Sequence, residues 1–214
     1  MKKAPVLKAD SKGIARASRI ILQGGIVAFP TETFYGLGAD AGNVGALQKV
    51  FQIKGREEHK PLLLLLADRT WVPGLVKDIP AVAESLMEKF WPGPLTLIFE
   101  ASPRLPFLLT GGTGKVGLRI SSHPVAQALV QKVGRAITGT SANLSGQPSA
   151  SLAAEVSQSL GRQIDAVLDG GETAGGLGST VLDVTGERPR IIRQGVVPRT
   201  QIARSLGKKV DFFS

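Results

Sequence analysis

Lys54, Arg56 and Lys60 place three cations within seven residues, between two apolar runs. Such a cluster invites a polyanion. On composition alone a plainer reading is favoured, in which Lys54 and Arg56 complement a helix C-terminus and stay solvated. A helix C-terminus repels phosphate, so an anion here would be held by side-chain charge, without a helix N-terminal cradle. Hydroxyl and amide groups concentrate twice. Thr31, Thr33 and Tyr35 flank Gly36 and Gly38, where the missing Cβ lets backbone approach a ligand closely. Ser141, Asn143, Ser145 and Ser149 fill a loop leading to a helix expected near Ser151. They read as turn and cap residues, which local statistics prefer, or as groups converging with a helix N-terminus on an anion. Arg119 interrupts the apolar run 116–120. A charge buried unpaired is costly, so Arg119 either faces solvent or meets an anion.

Other patterns exclude chemistry. In Gly111-Gly112-Thr113-Gly114-Lys115, Leu109 stands where a phosphate loop needs its first glycine, and Val116 where it needs Ser or Thr. After Gly36-Leu37-Gly38 the third glycine of a dinucleotide fingerprint is out of register, at Gly42. The chain has two histidines, no cysteine and no Gly-x-Ser-x-Gly elbow, which argues against a hydrolase triad and excludes disulfides and thiolate metal sites. His123, just before Pro124, reads as a cap or surface residue.

Hydrophobic period predicts the elements that position these groups. Residues 1–12 read as a short strand and linker, and 14–22 as a helix closing at Gly24-Gly25. A buried strand over 26–29 stops at Pro30, and the hydroxyl-rich glycine turn follows. Asn43 caps a helix carrying Leu47, Val50 and Phe51 that ends near Lys54. Residues 62–66 read as a strand buried on both faces. Ile79, Val82, Ala83, Leu86 and Phe90 make a helical face stopped by Trp91-Pro92-Gly93-Pro94. Strands are expected over 95–101, 116–120, 136–140, 165–169, 180–184 and Arg190–Arg193, and helices over Pro124–Val133 and 197–206. Thr96, opening the first of these strands, is explained by strand propensity alone. The glycine-rich loop 170–179 is expected to be mobile. Several strands are joined too tightly for crossovers. The fold class is therefore α/β (α+β): a single domain with a twisted mixed parallel/antiparallel sheet flanked by helices.

At 214 residues the chain can bury roughly 70% of its unfolded surface without staples. Its 26 basic and 17 acidic residues give a formal charge of +9, which favours nucleotides, RNA or acidic surfaces as partners without choosing among them. The N-terminal lysines precede no apolar segment, so a signal peptide is not expected. No apolar run approaches a membrane span, and a cytoplasmic location is the expectation.

Five motifs, in order, carry a resemblance: FPTETFYGLG with Lys54-x-Arg56, WPGPLT, VGLRISSHP, TSANLSGQPS, and the closing strand with Arg193. Over about 14–195 the chain resembles the YrdC-like threonylcarbamoyl-AMP synthase family. That resemblance implies a nucleotidyltransferase condensing L-threonine, bicarbonate and ATP into threonylcarbamoyl-AMP and pyrophosphate. Downstream threonylcarbamoyl-transferase proteins would pass the acyl group to an adenosine beside the tRNA anticodon. It implies a short form, with the nucleotide- and threonine-binding catalytic domain over 10–198 and a C-terminal helix and tail over 199–214.

By the same resemblance Lys54 and Arg56 hold the triphosphate; Lys60, outside the family pattern, either adds a phosphate contact or faces water. Ser141, Asn143 and Ser149 line the nucleotide side, and Thr96 and Arg193 complete it. Thr31, Arg119 and Ser179 meet threonine or its carbamate. Lys54, Arg56, Ser141 and Asn143 form the catalytic set. Mg²⁺ would arrive on ATP phosphates, and no residue is assigned as a metal ligand. Two positions depart from the family pattern: Lys60 stands where many members have Asn, and Leu65 where many have His. Two other readings compete. One is a double-stranded RNA-binding or ribosome-maturation module without ATP turnover. The other is a carbamoyl-transfer domain of the hydrogenase-maturation kind, whose chains carry zinc domains that a cysteine-free sequence lacks.

Overall fold

The computed structural model describes residues 3–55, 61–207 and, for the backbone alone, 211–212. β1 (Val6–Lys8) leads to α1 (Ser11–Leu22). This helix starts ahead of its apolar period because Asp10 accepts from the Gly13 N–H at 2.8 Å and caps it. β2 (Val27–Pro30) and β3 (Tyr35–Gly38) pair antiparallel and are buried throughout. The segment expected as a glycine turn is therefore a strand. A Cβ on Gly38 would lie 2.9 Å from the Phe29 ring, so this glycine answers to packing. α2 (Val44–Lys54) is capped by the Asn43 side chain and closes at Gly55 in the left-handed region, φ 55°.

β4 (Leu63–Leu65), α3 (Ala81–Phe90), β5 (Leu95–Glu100), α4 (Phe107–Thr110), β6 (Lys115–Arg119) and α5 (Pro124–Val133) follow. His123 caps α5, its Nδ1 accepting from the Val125 N–H at 3.2 Å. The run 136–140 does not form one strand. It divides at Gly139 into β7 (Ile137–Thr138) and β8 (Thr140–Ser141), which belong to different sheets. Then come α6 (Ala153–Ser159), β9 (Ala166–Asp169), β10 (Thr180–Asp183), β11 (Arg190–Arg193), α7 (Arg199–Leu206) and β12 (Asp211–Phe212).

Among the described residues the strands form a five-stranded sheet, order β1-β9-β2-β3-β8, and a seven-stranded sheet, order β12-β11-β10-β5-β6-β4-β7. Both mix parallel and antiparallel pairs, as the short connections require. At the crossing between sheets the Thr138 hydroxyl donates to the Leu37 carbonyl at 2.7 Å and accepts from the Ala39 N–H at 3.0 Å. A Cβ on Gly139 would meet Leu65 Cγ at 2.6 Å, so only glycine lets the chain pass there.

Period-two alternation gives the seven-stranded sheet two unlike faces. Val116 and Leu118 of β6 join Leu97, Phe99 and Leu182 in a core shared with Leu86 of α3 and Ile202 of α7. Each such side chain stabilises the fold by about 1.5–3 kcal/mol. The alternate residues Lys115, Gly117 and Arg119 turn the other way and line a cleft. α1 and α5 cover the five-stranded sheet through Ile21, Phe29, Leu129 and Val130.

Candidate active site

The cleft lies between the two sheets and encloses about 900 Å³. Leu63, Gly117, Ile98 and Val181, from four adjacent strands, give it an apolar floor. Thr31, Lys54, Thr96, Arg119, Ser141, Asn143, Ser149, Ser179 and Arg193 all line it. They come from residues far apart in the chain, brought together by the two sheets. Arg56 and Lys60 lie outside the described residues.

One wall is a closed hydrogen-bond knot. Lys54, 4% exposed, donates from Nζ to the Ser141 carbonyl at 2.6 Å, the Asn143 carbonyl at 2.9 Å and Asn143 Oδ1 at 3.1 Å. Ser141 Oγ donates to the same Asn143 Oδ1 at 2.6 Å, and Asn143 Nδ2 donates to the Gln147 carbonyl. The Ser145 N–H closes the loop onto the Lys54 carbonyl at 2.9 Å. Lys54 and Asn143 thus set the shape of the Ser141 loop. The α6 N-terminus does not converge on the cleft as the sequence suggested. Glu155 occupies it, its Oε2 accepting from the Ser151 and Leu152 N–H groups at 2.8 and 3.1 Å.

The opposite wall is the sheet itself. Thr96 Oγ1 and Ser179 Oγ are 2.9 Å apart, and Arg193 Nη2 donates to the Ser179 carbonyl at 2.9 Å and to Ser179 Oγ at 3.3 Å. Thr96 and Arg193 were expected on the nucleotide side and Ser179 on the threonine side, so the two groups meet at Ser179. Arg119 is 3% exposed, and its Nε has no hydrogen-bond partner. Burial pulls its guanidinium below the usual arginine value, Glu32 opposes that shift, and the Arg193 charge adds to it. Burial likewise lowers Arg193.

Thr31 closes the end of the cleft beside β2. Its Oγ1 donates to the Phe34 carbonyl at 2.7 Å and lies 3.1 Å from Thr33 Oγ1. The loop 170–179, expected to be mobile, is tethered. Burial pushes the Tyr35 phenol up to about 12, and its OH donates to the Gly171 carbonyl at 2.7 Å. The Thr173 N–H donates to the Ser151 carbonyl and the Gly175 N–H to the Thr33 carbonyl. Leu177, largely exposed, sits at the mouth of the cleft.

Sequence reasoning passed over Lys115, which lines the cleft and donates to Asp183 Oδ2 at 2.8 Å and Thr185 Oγ1 at 2.7 Å. Burial works against the Asp183 carboxylate, yet the bonds from Lys115 and Thr185 hold its pKa below the ordinary value. The signal was the spacing Lys115, Gly117, Arg119, which puts the lysine on the arginine's face of the strand.

The Sua5/YciO/YrdC family model, described as "Telomere recombination", matches residues 19–195. The chain belongs to that family. It is 41% identical over 192 residues to a threonylcarbamoyl-AMP synthase of Pyrococcus abyssi, covering 90% of this chain and 56% of the relative. It is 40% identical over 202 residues to the Bacillus subtilis protein of the same name, covering 94% and 58%. P. abyssi Sua5 complexed with L-threonine superposes with a TM-score of 0.94 at 37% identity, covering 99% of this chain and 63% of that one. The chain therefore spans little more than half the length of these relatives.

Proposed function

We propose that the chain is a nucleotidyltransferase that condenses L-threonine, bicarbonate and ATP into threonylcarbamoyl-AMP and pyrophosphate. The observation that carries this reading is the convergence of nine separately placed polar side chains on one cleft of about 900 Å³. Relatives bearing the synthase name and a relative complexed with L-threonine support it. The catalytic unit is taken as 10–198, with 199–214 as a C-terminal helix and tail.

In this reading Arg119 receives the threonine carboxylate, with Thr31 and Ser179 beside it. Ser141, Ser149, Thr96 and Arg193 line the nucleotide, and Lys54 and Asn143 hold the Ser141 loop while Lys54, Arg56 and Lys60 meet the triphosphate. Ser179, bonded to Thr96 and Arg193, marks where the carbamate oxygen would meet the α-phosphorus. Displacement at phosphorus depends on positioning and charge neutralisation, which this set of cations and hydroxyls supplies. No group of three His, Asp or Glu that could hold a metal is present among the described residues. Mg²⁺ would be carried in on ATP phosphates.

The product would pass to threonylcarbamoyl-transferase proteins acting on tRNA, and the charge of +9 favours contact with RNA. No helix among the described residues is long and apolar enough to cross a membrane, and a cytoplasmic location fits this role. Pyrophosphate release is the test. It is expected only when ATP, bicarbonate and L-threonine are all present, and release independent of threonine would refute the reading.

A further inference from the structure

Glu32 stands behind Arg119, its side chain 14% exposed. Its Oε2 accepts from Ser121 Oγ, and the Ser121 hydroxyl also accepts from the His123 N–H at 3.2 Å, so the carboxylate is fixed to the start of α5. Glu32 Oε1 lies 3.8 Å from Arg119 Nη1. That is an ion pair too long to be a hydrogen bond. Glu32 Oε1 and Arg119 Nε are both buried, and neither has a hydrogen-bond partner. The arginine is thus charge-balanced without surrendering its Nε–H. Two more groups feel this field. Arg193 repels Arg119, and His123, which burial pulls below the ordinary histidine value, is drawn back up by Glu32.

We propose that Glu32, anchored by Ser121, is a specificity-determining residue that makes the Arg119 seat select a zwitterion over a simple anion. Arg119 and Arg193 alone would attract any carboxylate or phosphate. The Glu32 charge cancels much of that attraction for a ligand that is only negative. An α-amino acid carries its amino group one carbon away from the carboxylate, so its cationic end gains from Glu32 while its carboxylate is held by the Arg119 guanidinium, which lines the cleft. Charges couple strongly where water is excluded, so no direct contact with Glu32 is required. The inference rests on Arg119 as the threonine carboxylate site.

Calorimetric titration of the full chain, without ATP, with L-threonine and separately with its des-amino analogue 3-hydroxybutyrate tests it. The unsubstituted protein is expected to prefer threonine by roughly tenfold or more, and Glu32→Gln to lose most of that preference, chiefly by binding the analogue more tightly. A Glu32→Gln protein that keeps the preference overturns the proposal and leaves the threonine reading standing. Equal binding of both ligands by the unsubstituted protein also overturns it, and binding of neither overturns both. Should Glu32→Gln not fold, Glu32→Asp withdraws the charge by one methylene; a partial loss of preference supports the proposal and an unchanged one overturns it.

Discussion

The two walls of the cleft differ in how they spend their polar groups. On the Ser141 loop wall, Lys54 and Asn143 bond to each other and to loop carbonyls. The sheet wall keeps capacity in reserve, with a buried Arg119 whose Nε is unpartnered and whose counter-ion stops short of a hydrogen bond. The bonds on one wall fix its shape, and the buried charge on the other has no hydrogen-bonded counter-ion. A residue that lines a site is therefore not automatically a residue that grips a ligand.

The comparison breaks most visibly at Arg119. Arg119→Met leaves the part-buried Glu32 carboxylate without its counter-ion, and losing one partner of such a pair costs up to about 3–5 kcal/mol. Threonine binding should vanish together with a large drop in melting temperature, read by calorimetry on the same preparation. Retained threonine affinity would remove the sheet wall from the site.

Lys54→Met should come next. It leaves carbonyl acceptors of the Ser141 loop unsatisfied, at about 1–3 kcal/mol for each buried group. The expected outcome is lower stability in urea together with a raised KM for ATP, whereas threonine binding is little changed. A Lys54→Met protein of unaltered stability would mean that the knot is not what shapes this wall.

Gly139→Ala probes the junction that sets the walls against each other. Its Cβ would press on Leu65 at 2.6 Å, and overpacking a tight core costs about 1–3 kcal/mol. Thermal unfolding should register the loss, with a still smaller effect at Gly114, where nothing crowds a Cβ but φ is 70°.

Asp183→Asn should have the smallest effect, since Lys115 is 39% exposed and such pairs are worth about 0–1 kcal/mol. The sign is defined. The folded-state pKa of Asp183 is depressed, so its contribution is present above the unfolded value, near 3.9, and fades as pH falls through the folded one. The substitution should flatten the acid limb of stability below about pH 4 and leave neutral pH nearly untouched.

Much of the site was legible locally. Arg119 stood out because a charge in an apolar strand needs a reason, and the Ser141 loop because its composition is so polar. The readings that failed were those in which a local pattern has two physical causes. Gly36 and Gly38 suited a turn, but both lie in a strand, where the Phe29 ring leaves no room for a Cβ at Gly38. The helix near Ser151 suited an anion site, but Glu155, three residues beyond Leu152, fills its N-terminus with the chain's own carboxylate. Lys115 was dismissed with the false phosphate loop, although strand alternation alone aims it into the cleft.

By itself the amino-acid order determined most of the strands and helices, because period and capping act within a few residues, but not that Tyr35–Gly38 would be a strand. It also determined, through alternation, that Arg119 and Gly117 share a face. Only the tertiary structure decided that the run 136–140 would split between two sheets, that Lys54 would spend its ammonium on loop carbonyls, and that Glu32 would stop 3.8 Å short of Arg119. Those outcomes depend on groups distant in sequence competing for the same space and the same hydrogen bonds, and that competition exists only once the sheets have closed around the cleft.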